Sequence, residues 1–165
     1  MKDKVQEVLE ILEYDAKVTP EEISDLTRIP VEEVKEIIAK CEADGIIRKY
    51  KTVIDWERAD VSFIYAIVQI KVSLERGSGY ERMAERISKY QNVRSLRLLS
   101  GDDFDLEFTV RGKTMRDVAF FVADKIATLE NVQSTATHFI LKTYKVDGVT
   151  FMDEIEEFKR QHVSL

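Results

Sequence analysis

The stretch Ile64-Tyr65-Ala66-Ile67-Val68-Gln69-Ile70-Lys71-Val72-Ser73-Leu74 places an apolar residue at every second position, from Ile64 through Ala66, Val68, Ile70 and Val72 to Leu74. A period of two is the signature of a β-strand with one buried face. The opposite face carries Phe63, Tyr65 and Ile67 before turning polar at Gln69 and Lys71. An apolar band on a face that no helix covers predicts association, so these three residues are the expected dimer interface. Downstream, Ser78-Gly79-Tyr80-Glu81 reads as a capping box, and Tyr80, Met83, Ala84 and Ile87 form a helical stripe. Residues 93–100 and 104–110 read as strands joined by the turn Gly101-Asp102-Asp103. The second strand is two-faced, with Phe104, Leu106, Phe108 and Val110 set against Asp103, Asp105, Glu107 and Thr109. Thr114-Met115-Arg116-Asp117 caps another helix, striped by Val118, Val122, Ile126 and Leu129. A last strand spans 132–144, and Phe151, Ile155 and Phe158 suggest a short C-terminal helix. The order β-α-β-β-α-β is that of a ferredoxin-like, split-βαβ domain with an antiparallel sheet.

The first third follows a different periodicity. Val5, Val8, Leu9 and Leu12 fall at i, i+3, i+4 and i+7, one face of an α-helix. Thr19-Pro20-Glu21-Glu22 is a capping box with proline at the first helical position, and it starts a second helix whose buried face is expected to be Ile23 and Leu26. Pro30 restarts the chain, and Val34, Ile37, Ile38 and Cys41 mark a third helix that ends at Gly45 as a left-handed cap. Three helices with a short break between the second and third form a helix-turn-helix pattern, and residues 46–54 follow as an extended wing or exit strand. The expected class is therefore α+β: a winged-helix-like helix-turn-helix domain over 1–51, a linker over 52–61, a ferredoxin-like domain over 62–147, and a C-terminal helix and tail over 148–165.

Charge limits the functions open to this fold. The 165 residues carry 25 Lys plus Arg against 31 Asp plus Glu, a net charge of −6, so the broad cationic surface of a nonspecific nucleic-acid binder is missing. Residues 1–51 hold 9 basic and 13 acidic side chains, a net of −4. DNA contact would have to be local: Arg28, Lys35 and Lys40 on or beside the third helix, with Arg48, Lys49 and Lys51 reaching phosphates from the segment after it. Glu32 and Glu33 suit the positive end of the helix dipole, but near phosphates they repel. The single cysteine, Cys41, cannot form an internal disulfide, which together with the absence of a signal-peptide pattern and of an uninterrupted apolar stretch predicts a reducing, cytoplasmic setting. His138 and His162 are the only histidines and have no nearby cysteine in sequence, so no metal or cofactor is expected. No glycine-rich phosphate loop, nucleophile elbow or zinc-protease helix is present, so the chain does not read as an enzyme.

Three stretches resemble the Lrp/AsnC, or feast/famine, family of transcriptional regulators. Cys41-Glu42-Ala43-Asp44-Gly45-Ile46-Ile47 with Tyr50 is similar to the end of that family's recognition helix. Gly101-Asp102-Asp103-Phe104-Asp105 is similar to its glycine-aspartate turn. The segment 132–137, with Tyr144-Lys145-Val146-Asp147-Gly148 behind it, is similar to its last strand. The resemblance implies a sequence-specific regulator of double-stranded DNA whose ferredoxin-like domain dimerises and often assembles into octamers. It also implies a small effector, commonly an amino acid, held between dimers; Gly101, Asp102, Asp105, Thr135 and Thr137 are the effector-site candidates on that basis. Read without the resemblance, the same turn is an ordinary hairpin connection and the threonines are good strand formers. Two other readings share the architecture. One is a haem-pathway decarboxylase, which would give His138 or His162 a tetrapyrrole-handling role. The other is a ligand-binding assembly module without DNA contact.

Overall fold

The computed structural model describes residues 2–73 and 79–152, which divide into two compact units, Met1–Val53 and Ile54–Leu165. In the first unit, α1 (Lys2–Tyr14), α2 (Pro20–Thr27) and α3 (Val31–Ala43) close around Val8, Ile23, Ile29 and Val34. The capping box at α2 forms as its spacing predicts: the Glu22 N–H donates to Thr19 Oγ1 at 3.2 Å and the Thr19 N–H to Glu22 Oε2 at 2.7 Å. Leu26, in contrast, is 69% exposed. The helix stops at Arg28, whose φ of 60° is left-handed, and Ile29 just beyond it is buried in the core. α3 ends as the glycine predicts: Gly45 has φ +68° and its N–H reaches the Glu42 carbonyl at 3.1 Å. Residues 46–54 contain no strand, so the wing is absent as a paired element.

In the second unit, β1 (Ile64–Val72), β2 (Val93–Leu98), β3 (Leu106–Gly112) and β4 (Val132–Phe139) form an antiparallel sheet in the order β2-β3-β1-β4. α4 (Tyr80–Ser88) and α5 (Met115–Phe121), the latter running on into a π-helical turn at Val122–Ile126, contribute to the core on one face of the sheet. Ala66, Val68, Ile70 and Val72 of β1 are buried with Leu106, Phe108 and Val110 of β3, beneath Ile87, Val118, Val122, Ile126 and Leu129. The apolar stripe begun at Val118 in α5 continues through Val122, Ile126 and Leu129 beyond it. The π-turn is closed by the Ala127 N–H to the Val122 carbonyl at 2.8 Å, and Val122 and Ile126 are buried.

Several boundaries depart from the sequence reading. The strands expected over 93–100 and 104–110 pair only from Leu98 with Leu106, which leaves residues 99–105 as a seven-residue connection in place of a tight turn. Asp105, expected on the polar face, is 7% exposed and buried. The strand expected over 132–144 ends at Phe139. Lys145–Val146 (β5) and Val149–Thr150 (β6) instead make a small hairpin across Asp147 and Gly148, both at positive φ as a type I′ turn requires. The N-cap of α4 is Gly79, without a side-chain cap; Ser78 of the expected capping box lies outside the described residues. Leu74 of the expected strand, and Ile155 and Phe158 of the expected C-terminal helix, lie outside them as well.

Candidate functional site

The helix-turn-helix is built by burying one stripe of α3, with Val34 and Cys41 inaccessible and Ile37 and Ile38 half-buried. The opposite stripe is left to solvent: Glu32, Lys35, Glu36, Ala39 and Lys40 are all exposed. The acids on this helix are largely partnered. Lys4 of α1 donates to both carboxylate oxygens of Glu33, at 2.7 and 2.9 Å. Lys35 lies 3.0 Å from Glu32 and 3.6 Å from Glu21, and the Glu32 contact is the main cause that holds the Lys35 ammonium above its ordinary pKa. Arg28, Lys40, Arg48, Lys49 and Lys51 are exposed. Arg28 stands in the turn between α2 and α3, where its backbone N–H closes α2 on Ser24 at 2.8 Å. Beyond α3, the Tyr50 hydroxyl donates to Glu42 at 2.9 Å, anchoring the start of the extended segment to the helix. Cys41 is a free, buried thiol.

The second candidate site lies at the end of the sheet where β1 finishes and β3 begins. Asp105 accepts the Val72 N–H at 2.8 Å through Oδ2. Its Oδ1 accepts the Tyr80 hydroxyl of α4 at 3.2 Å and the Lys71 ammonium at 3.4 Å. The Val72 N–H is the largest cause that holds this carboxyl below the ordinary aspartate value, against the opposing effect of burial, with Lys71 and Tyr80 adding to the depression. Burial, and then the neighbouring Asp105, pushes the Tyr80 hydroxyl up. Lys71 also donates to the Asp102 carbonyl at 2.8 Å, so one ammonium ties the 99–105 connection to β1 twice. Gly101 and Asp102 are exposed at its tip, and nothing would meet a Cβ on Gly101 within 4 Å.

Thr135 and Thr137 pair with Ile70 and Val68 across β1, so they project from the helix-covered face and are half-buried. Asp105 and the threonines therefore flank the same end of β1 from its two neighbouring strands. Sequence reasoning missed Tyr80 and Lys71 as members of this site. The usable signal was that Asp105 occupies a polar-face position directly before a strand, where a carboxylate can reach the neighbouring strand's open N–H.

The uncovered face of the sheet is read from the same registers. Tyr65, Ile67, Gln69 and Lys71 lie on one face with Arg111, Thr109 and Glu107 of β3 and with His138, Ala136 and Ser134 of β4. Gln69 donates to Glu107 at 3.0 Å, whereas Tyr65 and Ile67 remain half-exposed. Phe63 precedes the strand and meets Trp56 edge-on, ring centroids 5.3 Å apart. His138 is exposed on this face, and His162 lies outside the described residues. Among the described residues no group of three or more His, Cys, Asp or Glu side chains is placed to hold a metal ion, and no helix is long and apolar enough to cross a membrane.

Comparison with known proteins bears on both sites. Residues 65–150 match the family profile described as the Lrp/AsnC ligand binding domain. The chain is 45% identical over 150 residues to the uncharacterised HTH-type transcriptional regulator YugG of Bacillus subtilis (strain 168), covering 90% of each protein. Its fold is similar to that of the leucine response regulatory protein LrpA of Mycobacterium tuberculosis, with a TM-score of 0.72, 23% identity, and 89% and 97% of the two chains covered. It is also similar in fold to the transcriptional regulator NMB0573 of Neisseria meningitidis, solved as an L-Met complex, with a TM-score of 0.67, 20% identity, and 94% and 97% covered.

Proposed function

The chain belongs to the Lrp/AsnC family of transcriptional regulators, and from that membership we propose that it binds double-stranded DNA through α3 and answers to a small effector, an amino acid, at the 99–105 connection. The observation that carries the DNA half is the neutralisation of the acidic helix. With Glu33 held by Lys4 and Glu32 held by Lys35, the outward face of α3 keeps Glu36 as an acid facing Lys40, with Arg28 at the preceding turn. The net charge of −4 on residues 1–51 already counts these pairs, so the surplus acids lie elsewhere and the outward face itself, with Glu36 set against Lys40 and Arg28, carries no excess of acid. Arg48, Lys49 and Lys51 extend the cationic side chains beyond the helix and are assigned to backbone phosphates, which position a protein without reading sequence.

Two helix-turn-helix units are needed to span successive half-sites one helical turn apart. The proposed dimer contact is the apolar band of Phe63, Tyr65 and Ile67 on the uncovered sheet face, and further association of dimers places the effector between them. At the effector site the exposed Asp102 carboxylate takes the ammonium group, with Gly101 leaving space beside it. Thr135 and Thr137 supply hydroxyls from the far side of β1, and Asp105 acts by holding the turn in place, since both of its oxygens already accept protein donors. That an L-Met complex exists for the Neisseria relative supports an amino acid as the class.

The test is fluorescence anisotropy of the full chain on labelled duplex covering its own promoter, titrated with salt. Binding that weakens linearly in log salt is expected, and Lys40→Ala is expected to lower the slope by about one for each phosphate it no longer neutralises. Failure to retain any duplex at low salt, together with a monomeric state at micromolar concentration, would overturn the reading. For the effector half, the twenty L-amino acids are screened for thermal stabilisation, and a hit that survives Asp102→Asn removes the proposed ammonium contact.

A further inference from the structure

At the other end of the sheet, six residues along β3 from Leu106 and so about 20 Å away, an open groove of about 420 Å³ is lined by Phe63, Gln91, Asn92, Arg111, Lys113 and Asp117, with Gly112 and Val118 beside them. Its volume falls in the range of small-molecule sites. No sequence motif marks it, and the proposed effector chemistry does not use it.

Each wall is fixed by a separate contact. The Arg111 guanidinium stacks over the Phe63 ring at 4.3 Å, and Phe63 is itself braced by Trp56. Stacking occupies a face of the guanidinium and leaves its N–H edge available, the geometry that grips a carboxylate with two parallel bonds. Among the described residues neither Arg111 nor Lys113 has a carboxylate partner, although Arg111 is half-buried. The one acid in the wall is already engaged: Asp117 Oδ2 accepts the Thr114 N–H at 3.0 Å as part of the α5 capping box. The Arg111 backbone N–H donates to the Asn92 carbonyl at 2.9 Å, which fixes the 91–92 loop against β3. The side-chain amides of Gln91 and Asn92 have no protein partner among the described residues. At Gly112 a Cβ would come within 2.7 Å of Val118 Cγ2.

From this arrangement we infer that the groove is a second small-molecule site, distinct from the 99–105 connection, for a carboxylate with an apolar body. The carboxylate pairs with the free edge of Arg111, Lys113 adds a second positive charge, and the two amides accept or donate at the remaining polar groups. Val118 offers the apolar surface, while Phe63, a member of the proposed dimer contact, serves here only to hold Arg111 in place. A compound without an amino group satisfies every one of these contacts, which separates this site from one built for a zwitterion.

The probe is 3-phenylpropionate, titrated calorimetrically into the full chain, with 3-phenylpropionamide as the neutral isostere and inorganic phosphate as the competing oxyanion. Saturable binding of the carboxylate is expected, with the amide and phosphate at least about tenfold weaker. Arg111→Lys keeps the charge but loses the two-pronged grip, and it is expected to weaken binding by about tenfold. Lys113→Gln, at an exposed position that cannot endanger folding, weakens it less. Asp102→Asn at the far end leaves it unchanged. The inference is overturned if no saturable heat develops by about 10 mM, if amide or phosphate binds as well as the carboxylate, if Lys113→Gln and a folded Arg111→Lys both bind normally, or if Asp102→Asn abolishes binding.

Discussion

At one end of the four-stranded sheet a buried carboxylate, Asp105, is surrounded by three donors. At the other a half-buried guanidinium, Arg111, rests on an aromatic ring with no acid paired to it among the described residues. Both are charges set against the same β1–β3 pair, yet they serve different ends. A charge whose lone pairs are all taken by protein is committed to structure, because removing a donor leaves it uncompensated in a dry place. A charge whose ring contact fixes it but whose hydrogen-bonding edge stays open is held ready for something outside the chain. The first kind stabilises; the second is the kind proposed to recognise a ligand.

The largest effect expected from breaking this contrast is at Asp105. Asp105→Ala strands the Val72 N–H and the Tyr80 hydroxyl and should destabilise the second unit by about 3 kcal/mol, read by chemical denaturation. The same carboxyl sets an acid response. Its folded pKa lies below its unfolded one, so its contribution is complete above the unfolded aspartate value and is lost as the pH falls through the depressed folded value. Stability curves of the parent chain and of Asp105→Asn should therefore converge in that acidic window and separate above it. Parallel curves would show that Asp105 does not titrate as the geometry requires.

A smaller loss is expected beside the groove. Gly112→Ala forces Val118 or the Thr114 carbonyl to move and should cost about 2 kcal/mol, whereas Gly101→Ala, with open space around it, should cost only a few tenths. Equal losses at the two glycines would mean that the close approach at Gly112 relaxes freely. Smaller again is Thr114→Ala, which removes the α5 cap and releases Asp117 into the groove wall. About 1 kcal/mol of stability should go, and carboxylate binding at Arg111 should weaken as the freed acid competes for the cation. The smallest change is Glu33→Gln, an exposed pair with Lys4 worth about 0.5 kcal/mol or less. Glu33→Gln leaves the Lys4 ammonium uncompensated, and like Glu36→Gln it removes one negative charge from the helix-turn-helix, so both should bind duplex more tightly than the parent.

Much of the fold was legible because burial and hydrogen bonding impose periods that the chain must obey. The alternation from Ile64 to Val72, the Thr19-Glu22 and Thr114-Asp117 capping boxes, and Gly45 as a left-handed cap each follow from local geometry, and each is present. Misplaced features arise where the chain turns or where a partner distant in sequence intervenes. Leu26 is exposed whereas Ile29, past the left-handed turn at Arg28, is buried, and β3 begins only after Asp105, whose carboxylate accepts the Val72 N–H of β1. The basic side chains of the helix-turn-helix could be named from sequence, but their ion pairs could not, since Lys4 and Glu33 are 29 residues apart.

The sequence by itself determined the two classes of unit, the order of helices and strands, the buried face of β1 and the family to which the chain is similar, because these depend on interactions among near neighbours and on the simple exclusion of apolar groups from water. Only the tertiary structure decided which charges are spent and which are free. In the sequence Asp105 is a polar residue of an alternating stretch and Arg111 the residue just past its end, and neither position shows what will meet it. What separates them is whether donors from Val72, Lys71 and Tyr80 converge on one carboxylate while a ring slides beneath one guanidinium, and such convergence exists only once the strands are paired.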